Sequence, residues 1–137
     1  MYRKFLSFIV LVSILPTFSH ASDAQPEVLG VLFYADWCNS CKVLDPELAK
    51  AREESNLDTE SVLFVRLDLT DETTSLQSHF LASQLGIGEF YAENAGSTGF
   101  LLLVDAETKE VLTRITKTSD ADEITNVIRK AIQHSGA

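Results

Sequence analysis

The sequence predicts an α/β domain: a four-stranded mixed sheet flanked by three helices, in the order β-α-β-α-β-β-α. Three observations predict it. Two runs of continuous apolar, β-branched and aromatic residues, "VLGVLFYA" (28–35) and "VLFVRLDL" (62–69), enclose a stretch of helical apolar spacing. A third run, "GFLLLVD" (99–105), leads through a turn into a fourth strand pattern. The chain then closes with an amphipathic helix.

Each element has a local reason. Val28 to Ala35 reads as a strand buried on both faces. From Asn39 to about Ser55 the pattern turns helical, with Val43, Leu44, Leu48 and Ala51 on one side and Pro46 expected to kink it. Val62 to Leu69 is the second strand, and strand–helix–strand in this order is a right-handed parallel unit. Thr70 to Thr74 is able to cap a helix, in which Leu76, Phe80, Leu81 and Leu85 recur at helical spacing up to a stop at Gly86. Gly88 to Gly99, "GEFYAENAGSTG", reads as an irregular loop. Phe100–Val104 and Glu110–Thr116 form a hairpin around the turn Asp105–Lys109. Ser119 or Asp120 caps the last helix, with Asp120 and Glu123 at capping-box spacing and Ile124, Val127, Ile128, Ala131 and Ile132 as its buried stripe.

The chain has 137 residues, room for one domain with a hydrophobic core. Arg3 and Lys4 precede an apolar run from Phe5 to Phe18, followed by small residues around Ala21 and Ala24. This is the pattern of a signal peptide over residues 1–21, with cleavage after Ala24 as the alternative site. An uncleaved anchor is the other reading, but the run is short for a span of ~20 apolar residues. Residues 22–27 form a polar leader, and 28–137 form the domain. Losing Arg3 and Lys4 with the signal takes the net charge from −9 to −11. An acidic domain without a basic patch argues against nucleic acid or anionic lipid as a partner. Two cysteines are too few for a disulfide scaffold, and in an oxidising compartment they form a disulfide unless kept reduced.

Both cysteines lie in "YADWCNSCKVLDP", residues 34–46. With the strand before it, this segment resembles the active-site segment of the thioredoxin superfamily: buried strand, aromatic, Ala, acid, Trp, Cys-x-x-Cys, Lys, and a proline five residues after the second cysteine. The bare Cys-x-x-Cys is a weak signal, and the extended string is a strong one. Together with "RLDLTDE" (66–72) it looks most like the periplasmic C-terminal domain of DsbD-type transmembrane disulfide reductases. The resemblance implies a minimal thioredoxin-like fold and an exported thiol–disulfide oxidoreductase, located in the bacterial periplasm. It implies Cys38 as the exposed attacking thiol and Cys41 as the buried resolving one, with Trp37, Asn39, Ser40 and Lys42 flanking them. Partners would be client proteins with disulfides and a membrane-bound electron donor; no cofactor is implied, and a monomer is expected. A thioredoxin-like binding module with a non-catalytic or redox-sensing cysteine pair is the alternative.

The match has gaps. Leu32 stands where relatives carry a buried acid that assists proton transfer at the second cysteine. No proline is available for the cis-proline that faces the cysteines in relatives; Thr98-Gly99 falls there, with a trans bond expected and Gly99 free to adopt an unusual φ. Thr98, Gly99, Phe90 and Tyr91 are the candidate substrate groove, the two aromatics being equally suited to covering the core. Ser40, in place of a proline, is expected to add donors near Cys38 and make the couple more oxidising. Arg66 is expected to pair with Asp68 or solvent. His79 reads as a helix-surface residue, and no set of metal ligands is predicted.

Overall fold

The computed structural model describes residues 25–57 and 61–135. The signal-peptide assignment and residues 22–24 of the polar leader lie outside these residues. The elements are β1 (Val28–Tyr34), α1 (Asn39–Ser55), β2 (Val62–Asp68), α2 (Glu72–Gln84), α3 (Gly88–Asn94), β3 (Phe100–Asp105), β4 (Val111–Thr116) and α4 (Ala121–Ser135). The sheet order is β2-β1-β3-β4. β1 runs parallel to β2 and antiparallel to β3, and β3 is antiparallel to β4.

β1 is central and is covered on both faces, which is why its sequence is apolar throughout. Val28 and Leu32 point to one side, where Leu44, Leu48 and Ala51 of α1 meet Ile124, Ile128 and Ala131 of α4. Leu29, Val31 and Phe33 point to the other, against Ala82 of α2, Ile87 and Tyr91. Alternate residues of one strand thus build two cores, and the strand ends where the cysteine segment begins.

The described residues form four helices, not three. The added one is α3, inside the segment expected to be an irregular loop. Ile87 and Tyr91 anchor it, at 2% and 7% exposure, and the Tyr91 N–H donates to the Ile87 carbonyl at 2.8 Å. Two turns are too few for a repeating apolar period, so burial of a single aromatic defines the helix where the sequence pattern cannot.

Two apolar stripes also differ from expectation. In α1 the buried positions are Cys41, Leu44, Leu48 and Ala51, while Val43 faces solvent. In α2 the buried residues are Ser78 and Ala82, and Leu76, Phe80 and Leu81 point outward. The Ser78 hydroxyl donates to the Asp68 carbonyl at 2.9 Å, so α2 lies close to β2 through its small residues. In α4 the expected stripe holds, with Val127 and Ile132 partly buried at its margins.

Asp71 caps α2. Its carboxylate accepts from the Thr74 N–H at 2.9 Å, and the Thr74 hydroxyl accepts from the Asp71 N–H at 3.0 Å, a capping box. The Thr74 backbone bond holds the Asp71 carboxyl below the usual carboxylate range. A depressed folded value means that this contribution is present above the unfolded pKa and is lost as pH falls through the folded one. The urea midpoint should therefore drop on acidification below the usual carboxylate range. Asp71→Asn should lower the midpoint at pH 7 and flatten its acid limb, in matched titrations at pH 7 and pH 3.

Candidate active site

β1 delivers the cysteine segment to the N-terminus of α1. Cys38 is the N-cap, with φ −80° and ψ 110°, and its Sγ accepts the Cys41 N–H at 3.1 Å. The chain turns tightly there: the Cys38 N–H donates to the Ala35 carbonyl at 3.1 Å, and the Lys42 N–H to the Cys38 carbonyl at 3.3 Å. Cys38 and Cys41 are joined as a disulfide with Cα atoms 5.3 Å apart, within the ordinary range for such a bond. One turn of helix separates them, so the N-terminal amides and the positive end of the helix dipole are aimed at the first sulfur.

Both sulfurs are more covered than the expected exposed–buried division implies. Cys41 is fully buried and Cys38 retains only 6% exposure. The cover over Cys38 is the backbone at Gly99, where an added Cβ would stand 3.1 Å from Cys38 Sγ and 2.5 Å from Ser40 Cβ. Gly99 has φ +87°, and its N–H donates to the Phe33 carbonyl at 2.8 Å. The described residues contain no cis peptide bond, as expected for Thr98-Gly99. Thr98 is half-buried beside it.

Trp37 is 63% exposed, held by its Nε1–H donating to the Thr70 carbonyl at 3.1 Å. It is a tethered surface aromatic. Asn39 and Lys42 are exposed, and Ser40 is half-buried against Gly99. The donor found on Cys38 Sγ is the Cys41 N–H, not a group of Ser40, and a proline at position 40 would leave that donor in place.

Tyr91 does not line an open groove. It is 7% exposed, stacks on Phe33 with centroids 6.4 Å apart, and its hydroxyl donates to the Ser75 carbonyl at 2.9 Å. Burial raises its pKa. Phe90 meets Phe33 edge-on at 6.0 Å and is half-buried. Of the proposed groove, Gly99 adjoins Cys38 Sγ with Thr98 preceding it in the chain, while the aromatics pack on Phe33 of β1.

Leu32 is buried in the α1–α4 core. It lines a cavity of about 200 Å³ with Leu48, Phe64, Arg66 and Asp45. The Phe33 carbonyl oxygen, 3.8 Å from Cys41 Sγ, is the polar group found near the buried sulfur. Arg66 pairs with Asp45 at 2.5 Å and lies over the Tyr34 ring at 4.3 Å. Asp68, its expected partner, instead accepts from the Thr70 N–H and hydroxyl. The Tyr34 hydroxyl donates to Asp36 at 2.9 Å, a bond that raises the phenol's pKa and keeps it protonated. Tyr34 and Asp45 lie in the cysteine segment itself, but the Asp45–Arg66 pair and the place of Thr70 under Trp37 were not legible in the sequence. Only the fold brings Thr70 and Arg66 to the cysteine segment. His79 is exposed and stacks on Tyr91 at 5.7 Å.

A helix-capping Cys-x-x-Cys disulfide at the end of a central strand, in a β2-β1-β3-β4 mixed sheet, defines a thioredoxin-like domain. The thioredoxin family model matches residues 12–97, and the chain belongs to that family. It is similar to protein disulfide-isomerase of Gallus gallus, 36% identical over 78 residues covering 57% of this chain and 14% of that protein. A putative protein disulfide-isomerase of Schizosaccharomyces pombe is 29% identical, covering 77% of this chain and 22% of that one. The chain thus spans less than a quarter of the length of these relatives. Among solved structures, thioredoxin-2 of a malaria parasite gives a TM-score of 0.49 at 18% identity, covering 75% of this chain and 82% of that one. Thioredoxin f2 of Chlamydomonas reinhardtii gives 0.43 at 25% identity, covering 80% and 81%.

Proposed function

We propose that this chain is an exported thiol–disulfide oxidoreductase that reduces disulfides in client proteins, in the bacterial periplasm. The observation that carries this is the placement of Cys38 at the N-cap of α1. Its sulfur receives the Cys41 N–H and keeps the pair's accessible edge, while Cys41 is sealed behind it. In the reduced protein the Cys38 thiolate attacks one sulfur of a client disulfide. The client S–S bond breaks, a Cys38–client mixed disulfide forms, and the released client thiolate takes a proton from water. Cys41 then gives its proton to solvent and attacks Cys38 Sγ. The second client thiolate leaves, and the Cys38–Cys41 disulfide remains. The client gains two electrons and the protein loses two. Turnover in an oxidising compartment therefore requires a donor, which we assign to a membrane-bound reductase.

The test is reduction of insulin by the mature chain with dithiothreitol as electron source. Catalysed precipitation should exceed the dithiothreitol background at least tenfold and return to background in Cys38→Ser. The alternative, a binding module with a redox-sensing cysteine pair, draws on the full burial of Cys41, near whose sulfur the Phe33 carbonyl oxygen lies at 3.8 Å. Background-level reduction by the unaltered protein would favour it.

A further inference from the structure

Helix α2 presents a face that the site chemistry does not use. Leu76, Phe80 and Leu81 are 55%, 62% and 42% exposed. Positions 76 and 80 lie one above the other, with 81 beside them. Thr73, Gln77 and Gln84 share this outward side, His79 meets Phe80 with ring centroids 6.1 Å apart, and Glu72, one turn before Leu76, sets a single acid at the N-terminal end of the row. Scattered exposed leucines need no explanation, but a contiguous apolar stretch of helix surface bounded by an acid marks an interaction surface. It also has a direction. Trp37, beside Cys38, is tied to Thr70, two residues before the first residue of α2.

The surroundings select the partner. Asp71 and Glu72 stand at the start of α2; Glu89 and Glu93 lie on α3, which packs against it, but they line a pocket with Lys109, so the acids that count toward a partner are those at the α2 start. Asp36 is exposed beside Trp37. Neither α2 nor α3 contains a lysine or arginine. A second copy would bring the same acids, and three side chains fall short of the ~800 Å² per partner of a stable complex. An anionic membrane would be repelled.

We propose that the client-binding surface runs from Cys38 past Trp37 along the outer face of α2, and that it takes an apolar client segment carrying lysine or arginine near its disulfide. This rests on the reductase reading above and adds the class of client. Apolar side chains of the segment would cover Leu76, Phe80 and Leu81, and its cations would meet Asp71 and Glu72 at the start of α2 and Asp36 beside Trp37. The segment is held long enough for Cys38 to find the adjacent disulfide, without a closed groove.

Binding can be tested apart from chemistry. The oxidised protein is titrated with two tryptophan-free peptides that lack cysteine and share one apolar sequence, flanked by lysines in one and glutamates in the other. Binding is read by calorimetry and by the fluorescence of Trp37, the chain's sole tryptophan. The lysine peptide should bind at least tenfold more tightly, and more weakly as salt rises. The doubly substituted Leu76→Gln/Phe80→Gln protein should lose at least fivefold for it. In a kinetic arm, the same variant should show at least a fivefold fall in kcat/KM for a disulfide-bridged lysine peptide, relative to a small aromatic disulfide. No binding, equal binding of the two peptides, or an unaffected variant would overturn the proposal. If neither disulfide is reduced, the reductase reading fails, and the titration still decides the surface. Since both substituted side chains face outward, an unchanged urea midpoint is expected and checks the fold.

Discussion

Reduced Cys41→Ser protein, mixed with a disulfide-bonded client, is expected to accumulate a covalent complex that dithiothreitol dissolves; Cys38→Ser should form none. The asymmetry follows from position. Cys38 caps α1 and keeps a solvent edge, whereas Cys41 is fully buried one turn further on. A client sulfur can therefore reach Cys38 and not Cys41. Without a resolving thiol the mixed disulfide persists until an external thiol attacks it. Turnover should fall to background in both variants, the largest effect expected of any substitution in the chain. The measurement is non-reducing electrophoresis with mass spectrometry of the trapped species. Equal trapping by both variants would mean that the buried sulfur is as reachable as Cys38, and the assigned order of attack would fall.

Much of the fold was legible because its elements are long or chemically marked. β1 announces its two-sided burial by an unbroken apolar run, and Asp120 caps α4, accepting the Glu123 N–H at 2.9 Å. The Cys-x-x-Cys placed itself at the strand-to-helix junction through its neighbours in sequence. α3 was hidden because two turns held by Ile87 and Tyr91 show no period. The stripe on α2 was misassigned for a different reason. Periodicity reports that one helix face is apolar, but not which face the sheet receives. Here close approach to β2 selected Ser78 and Ala82, and the larger side chains were left outside. Within the site, Gly99 was legible as a residue free to take unusual backbone angles. Thr70 and Asp45 were not, because their roles depend on contacts between segments distant in sequence.

Gly99→Ala should destabilise the folded protein by about 2–5 kcal/mol and impair reduction in the molecules that remain folded. Two costs combine. A residue with a side chain held at φ +87° pays roughly 1–2 kcal/mol for the left-handed region. The new methyl would also stand 2.5 Å from Ser40 Cβ and 3.1 Å from Cys38 Sγ, and overpacking of this kind typically adds about 1–3 kcal/mol. Ser40 Cβ cannot rotate away, so either β3's entry or the first turn of α1 must shift. Against a total stability of ~5–15 kcal/mol, the loss would be plain in a urea titration. Gly96 supplies the control, since a Cβ there meets nothing within 4 Å; Gly96→Ala should be nearly neutral. Ser40→Gly removes the atom in closest conflict. Combined with Gly99→Ala it should recover part of the loss, giving a non-additive double-mutant cycle. Additive effects would mean that the backbone strain at position 99 dominates and that contact with the cysteine turn contributes little. A positive coupling together with recovered insulin reduction would show that the space between Gly99 and Ser40 sets the geometry in which Cys38 meets its client.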